Sequence, residues 1–157
     1  MTPILAKNYH THTYRCKHAA GDVPAYVDEA LKAGITTLGM SDHTPLPDDW
    51  MGSVRMSLAE LDGYISAIEN AGRPGIRLVK GMECDINPLY YGFYREELRD
   101  KRGCEYLIGA LHWYRHDGEW LYAGRMPTAA HLRSYTDALS AGIESGLFAF
   151  IAHPDHF

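Results

Sequence analysis

The sequence predicts an α/β fold built on parallel strands, and three observations predict it. Five short segments rich in apolar and β-branched residues alternate with segments of helical character, as in repeated βαβ units. The helical segments carry capping residues at their starts and glycines at their ends. Each apolar segment runs out into a His, Asp or Glu, which suits a fold whose strand ends share one rim. Five such units are compatible with an open sheet and with a barrel, and periodicity alone does not choose.

Taken in order, residues 4–12 form a first strand that passes into a loop. Residues 23–33 form a helix, with Asp22 as N-cap, Pro24 in the first turn and Gly34 as terminator. Residues 35–41 form the second strand. Ser57 opens a helix over 58–70, with Glu60 in capping-box position, and the Gly72 to Gly75 stretch breaks it. Residues 76–83 form the third strand, 90–100 a third helix and 106–112 the fourth strand. Asp117-Gly118 is a turn signal between the aromatic arms 113–115 and 120–122, so a hairpin is expected there. Thr128 caps a long helix over 129–145, ended by Gly146, and 148–152 form the fifth strand.

The composition is that of one soluble globular domain, residues 1–157. Apolar residues make up 46% and charged residues 22%, which argues against disorder. Lys plus Arg is 15 against 20 for Asp plus Glu, a net charge of −5. With no basic stripe, nucleic acid is disfavoured as a partner. No apolar run is long enough to cross a bilayer, and the N-terminus lacks the pattern of a signal peptide. Three cysteines without a CxxC pair fit a reducing cytoplasm better than a disulfide scaffold.

The nine histidines are the informative excess. The strand ends deliver His10 and His12, Ser41-Asp42-His43, Glu83, His112 and His153. Singly, each has an ordinary reading: His112 as a core histidine, Glu83 as a solvated loop residue. Five strand ends carrying such groups together do not. Packed without a cation they would repel when protonated and leave ring nitrogens unpaired when neutral. Imidazole and carboxylate without a thiolate cage suit Zn, Mn or Fe better than Ca or Mg. The candidates outnumber the needs of one tetrahedral ion, so two or three divalent ions are expected, with Glu83 able to bridge a pair. Two such ions can hold a bridging hydroxide and stabilise both oxygens of a phosphoryl transfer.

Five motifs then carry a resemblance. Tyr9-His10-Thr11-His12-Thr13 with Cys16-Lys17-His18, Gly39-Met40-Ser41-Asp42-His43, Gly81-Met82-Glu83-Cys84-Asp85, Gly109-Ala110-Leu111-His112-Trp113 and Ile151-Ala152-His153-Pro154-Asp155 occur in order along the chain. This set resembles the polymerase-and-histidinol-phosphatase (PHP) superfamily, in its monofunctional histidinol-phosphatase branch. The resemblance implies a distorted TIM-like (β/α)7 barrel with a metal site at its C-terminal rim. By position, His10 and His12 bind one ion, Glu83 bridges to a second completed by His112 and His153, and His18 and His43 serve a third. It implies hydrolysis of a small phosphorylated metabolite, L-histidinol phosphate, by a metal-bridged hydroxide. His18, His43 and Glu83 then take catalytic roles, with His18 or His43 assisting the leaving alkoxide.

The chain also departs from the family pattern. A late Asp-x-His motif with two further ligands is missing, and Asp155-His156-Phe157 directly follows the fifth motif. The expectation is a C-terminally truncated barrel holding the first five or so βα units, with open edges that invite self-association. Two other functions stay in view: a PHP phosphoesterase acting on a nucleotide or other phosphoester, and a metal-binding partial domain inactive alone. Arg15 and Arg125 are candidate phosphate ligands. Arg55 and Lys80 could also reach a phosphate, and a solvated surface charge is the commoner use of all four. Trp113, Tyr114, Trp120 and Tyr122 either line a pocket or pack the hairpin down. Asp42 is a candidate second support for a ligand. His116 and His131 are expected to be exposed, and Cys16 has no ligand role.

Overall fold

The computed structural model describes residues 6–155. The expected start of the first strand at Ile4 and Leu5, and the segment Asp155-His156-Phe157 beyond its first residue, lie outside that range.

Among the described residues, five parallel strands form one sheet in sequence order: β1 (Lys7–Asn8), β2 (Thr37–Met40), β3 (Arg77–Asp85), β4 (Tyr106–Ala110) and β7 (Phe150–Ile151). The connections are helical: α1 (Val23–Lys32), α2 (Leu58–Asn70), α3 (Tyr91–Phe93) continuing as a π-helical segment Tyr94–Lys101, and α4 (Ala129–Glu144). β5 (Trp113–His116) and β6 (Glu119–Tyr122) form a separate antiparallel hairpin after β4. The architecture is a curled half-barrel of five parallel strands: the strand pattern predicts the parallel strands, and the resemblance the partial barrel.

The local signals work as expected. Asp22 accepts from the Val23 backbone at the head of α1, and Glu60 accepts from the Ser57 backbone at 2.8 Å at the head of α2. Asp117 and Gly118 both have positive φ, which a two-residue hairpin turn requires. Several bounds differ. The first strand covers two residues, so His10 and His12 sit in the loop that follows rather than on an extended strand. The third strand runs two residues past Glu83, to Asp85. The third helix is largely π-wound, which side-chain pattern does not encode.

The register of β3 explains the curl. Its first half, Arg77 to Lys80, pairs with β2, and its second half, Gly81 to Asp85, pairs with β4. Each strand is therefore stepped along the next, as barrel strands are. On one face α1 and α2 cover a core that includes Val27, Leu38, Met40, Leu61, Tyr64, Met82 and Leu107. The opposite face holds a smaller cluster of Val79, Tyr106, Ile108, Ala110 and Ala152. There the Tyr106 ring lies so close over Gly39 and Gly81 that a side chain at either position would collide with it. Its hydroxyl donates to the Tyr9 carbonyl at 2.8 Å and ties down the backbone beside His10.

Candidate metal centre

All seven expected ligand positions gather at the carboxyl ends of the strands, and Glu83 is their centre. It sits in β3, opposite His43 through an isolated parallel bridge. Its backbone N–H donates to the Asp42 carbonyl, and its own carbonyl accepts from Thr44 N–H at 2.9 Å. The strand ladder therefore fixes the Glu83 backbone, and its side chain is 1% exposed.

The two carboxylate oxygens of Glu83 face different partners. Oε2 lies 3.0 Å from His10 Nε2, 3.0 Å from His12 Nε2 and 3.4 Å from His43 Nδ1. Oε1 lies 3.1 Å from His153 Nε2 and 3.5 Å from His112 Nε2. The His10 and His12 nitrogens are themselves 3.0 Å apart. His18 stands at the rim, with its ring 5.7 Å from His12 and 5.2 Å from His43.

The supports behind these rings are equally specific. Asp42, fully buried, accepts from the Thr13 backbone at 3.0 Å and from the Thr13 hydroxyl, and its Oδ1 stands 3.5 Å from His12 Nδ1. Asp85 Oδ1 stands 3.1 Å from His112 Nδ1, and its Oδ2 is 2.7 Å from Arg55 Nη2. Cys16 is buried. Its sulfur lies within 4.8 Å of ligand atoms of His12 and His18, so it is nearer the cluster than its lack of an expected role implies.

The electrostatics are those of a crowded, dehydrated site. Burial disfavours the Glu83 charge, but bonds from His10, His12 and His153 and the neighbouring His43 hold its carboxyl well below the usual range. Burial pushes His12 down, yet bonds to Asp42 and Glu83 outweigh it and raise the ring to about 9. His43 is pushed down to about 3 by burial, against the pull of Glu83 and with the repulsion of His12 and His112. At neutral pH the ion-free cluster thus holds a carboxylate, a protonated His12 and a neutral His43.

The donor set fits a divalent cation. Two ring nitrogens and a carboxylate oxygen spaced 3.0 Å apart match two bonds of about 2.1 Å meeting near a right angle. Two groups of three ligand atoms, His10–His12–Glu83 and Glu83–His112–His153, share Glu83, and a third comprises His12, Cys16 and His18.

Other expected site residues are placed differently. The Arg15 guanidinium is buried and committed to Asp22, at 3.1 Å for Nη2, and the same carboxylate caps α1. Arg125 is exposed just past β6, with its backbone donating to Tyr122. Lys80 is bound to Glu69 and to the Arg102 carbonyl. Arg55, read as a surface charge, is buried at the cluster's edge. Trp113 and Tyr122 line a cavity of about 340 Å³ together with His18, His43, His112 and Arg55. Tyr114 instead packs against Tyr135, and Trp120 against Trp50. His116 and His131 are half-buried rather than exposed, because their rings stack 4.1 Å apart and bond to Ser134 and Thr128. Trp50 and Asp85 were not singled out from the sequence. A signal for Asp85 existed: it lies two residues from Glu83 and so shares its face of β3.

Comparisons with known proteins bear on the family and the fold. A Deinococcus radiodurans protein named "Probable histidinol-phosphatase" is 33% identical over 159 residues, covering 93% of this chain and 59% of its own length. The histidinol-phosphatase of Bacillus subtilis is 29% identical over 127 residues, covering 71% of this chain and 46% of its own. The chain thus spans about half the length of these curated relatives. A crystal structure of a candidate histidinol phosphatase from Listeria monocytogenes superposes with a TM-score of 0.73. At 18% identity over 91% of this chain and 63% of that one, it shows the shared fold. Residues 8–157 match the PHP domain, and the chain belongs to the PHP domain family.

Proposed function

We propose that this chain carries the catalytic rim of a metal-dependent phosphomonoester hydrolase acting on L-histidinol phosphate. The observation that carries the reading is the split of Glu83: one oxygen faces His10 and His12, the other His153 and His112. That is the arrangement of a carboxylate shared by two cations. The names of the Deinococcus and Bacillus relatives support the substrate.

In this reading His10 and His12 would hold one ion with Glu83, His112 and His153 would hold a second, and His18 and His43 would serve a third. When bound, Zn, Mn or Fe ions would supply positive charge for the phosphoryl oxygens and a hydroxide nucleophile near neutral pH. The remaining work belongs to the chain. Glu83 and Asp85 bring negative charge that keeps a cationic site from repelling itself. Neutral His43 offers a lone pair at neutral pH. His18, the exposed ring at the rim, is placed to pass a proton to the departing alcohol oxygen. The cavity bounded by Trp113, Tyr122 and Met51 takes the organic half of the ester and limits water around the phosphorus.

The test is to load the purified chain with Zn, Mn or Fe and to assay L-histidinol phosphate against nucleoside monophosphates. Preferred turnover of histidinol phosphate, lost on chelation, is expected. Preference for a nucleotide overturns the substrate. Bound metal without turnover of any phosphomonoester overturns the assignment of activity to this span and leaves it a metal-binding part.

A further inference from the structure

We propose that Arg55 is a positioning residue: it clamps Asp85 so that the carboxylate accepts a hydrogen bond from His112 Nδ1–H and leaves Nε2 turned toward Glu83. This deepens the metal-site reading above and rests on it for its consequence, though not for its geometry.

The observations form one connected line. Arg55 is only 3% exposed, and Asp85 only 6%. Arg55 Nη2 meets Asp85 Oδ2 at 2.7 Å, while Nη1 donates to the Thr44 carbonyl at 2.8 Å. The other carboxylate oxygen, Oδ1, stands 3.1 Å from His112 Nδ1. On the far side of that ring, Nε2 is 3.5 Å from Glu83 Oε1. Tyr94 donates to the Asp85 carbonyl at 3.2 Å and holds the backbone from behind.

Burying two charges is costly, and an apolar pair of the same volume commonly stabilises a fold as well or better. A buried pair that touches a site is therefore better explained by orientation. Guanidinium has donors only, so it demands an acceptor oxygen on its side of Asp85. The carboxylate has a second acceptor oxygen to spare, and that oxygen can bond only a ring nitrogen bearing a proton. His112 is thereby held as the Nδ1–H tautomer, with the lone pair of Nε2 facing Glu83, where a cation would need it. Such outer partners of ligating imidazoles typically change metal affinity 10–100-fold. Through Thr44, the residue after His43, the same guanidinium also ties the end of β2 to the end of β3.

The experiment reads the tautomer directly. The full chain, free of metal and labelled with 15N in its histidine rings, is examined by NMR at a pH where His112 is neutral. The His112 signals are assigned by their loss in His112→Asn. Wild type should show the Nδ1–H tautomer. In Asp85→Asn the amide oxygen must face Arg55, which turns the amide NH2 toward His112. Nδ1 then has to accept, and the tautomer should switch to Nε2–H. Removing the clamp as well, in Arg55→Met with Asp85→Asn, frees the amide to flip and should restore Nδ1–H. A group that serves stability alone would give no such reversal.

Titration with Zn should follow the same order. Affinity at the position holding His112 should fall about 10–100-fold in Asp85→Asn and recover in the double variant, while the His10–His12 position is unchanged. An unchanged tautomer in Asp85→Asn, or a double variant that stays switched, overturns the proposal whatever the metal does. A correct tautomer pattern with no Zn bound anywhere instead overturns the metal-site reading and leaves the clamp standing. If the double variant does not fold, Asp85→Asn alone decides.

Discussion

Among the described residues, two buried arginines look alike and do different work. Arg15 is 8% exposed and pairs with Asp22, which is 37% exposed and caps α1. Arg55 is 3% exposed and pairs with Asp85, itself 6% exposed and in contact with His112. The difference is what stands behind the carboxylate. Behind Asp22 stand the first turn of a helix and water. Behind Asp85 stand a ring, a second carboxylate and the rest of the cluster. The same ion pair therefore fastens a loop to a helix in one place and sets the orientation of a candidate ligand in the other.

The sharpest way to break this comparison is to remove the group that only one pair serves. In Glu83→Gln the side chain keeps its shape but loses its charge and one of its two acceptor oxygens. Both three-ligand groups that share Glu83 should then lose their ion. Elemental analysis after Zn loading should show metal content falling by two ions per chain, or binding weakened well beyond the 10–100-fold of an outer support. The Arg15–Asp22 region should be untouched, while the melting temperature of the ion-free variant falls, since protonated His12 loses the carboxylate that faces it. Full retention of metal would show that Glu83 bridges nothing.

The two arginines can then be set against each other. Arg55→Met strands the Asp85 carboxylate in a dehydrated site, and breaking a buried pair on one side costs about 3–5 kcal/mol. Arg15→Met leaves Asp22, which is 37% exposed, free to turn into water, so the loss should be smaller, nearer the roughly 1 kcal/mol of a solvent-screened pair. Some packing is lost as well, because the guanidinium lies 4.7 Å from the Tyr14 ring. Urea unfolding of the ion-free proteins should therefore rank Arg55→Met well below Arg15→Met. Equal losses would mean that Asp85 is as well hydrated as Asp22.

Sequence reasoning treated the two alike, as residues able to reach a phosphate whose commoner use is a solvated surface charge, and the reason it missed their burial is physical. The strands, the helix caps and the Asp117-Gly118 turn are local events, governed by residues within a turn of one another, and they read directly. The ligand set was legible because parallel strands must bring their ends together, so His43, Glu83, His112 and His153 could be pooled without knowing any distance. Arg55 carries no such signal. It sits in an irregular loop before α2, and only the tertiary fold carries it to Asp85, 30 residues further on. Asp85 itself was obscured because its strand was expected to end at Glu83. The two residues added by pairing with β4 put it on the same face. Trp50 escaped for the same reason as Arg55: its partners, Trp113 and Trp120, come from a hairpin far along the chain.

The smallest expected effect lies on the acid side, where the two carboxylates can be compared in one titration. Burial raises the pKa of each, and the bonds it accepts more than reverse this: from Arg15 and the Val23 backbone for Asp22, from His112 and Arg55 for Asp85. Both are therefore lower in the folded chain than the unfolded value of about 3.9. A carboxylate lowered on folding contributes stability that is fully present above its unfolded pKa and fades as the pH falls toward the folded one. Unfolding free energy should thus decline below about pH 4 in the ion-free protein. Arg15→Met should flatten that decline only slightly, because Asp22 keeps its bond from Val23 and stays partly hydrated. Arg55→Met should change it more and in the opposite sense to its effect at neutral pH. With its cation gone, Asp85 is a buried charge relieved by protonation, so the variant recovers stability relative to wild type as the solution is acidified. Denaturant midpoints measured at intervals from pH 7 downward check this, and a gap between wild type and Arg55→Met that stays constant with pH would show that Asp85 is not the charge Arg55 neutralises.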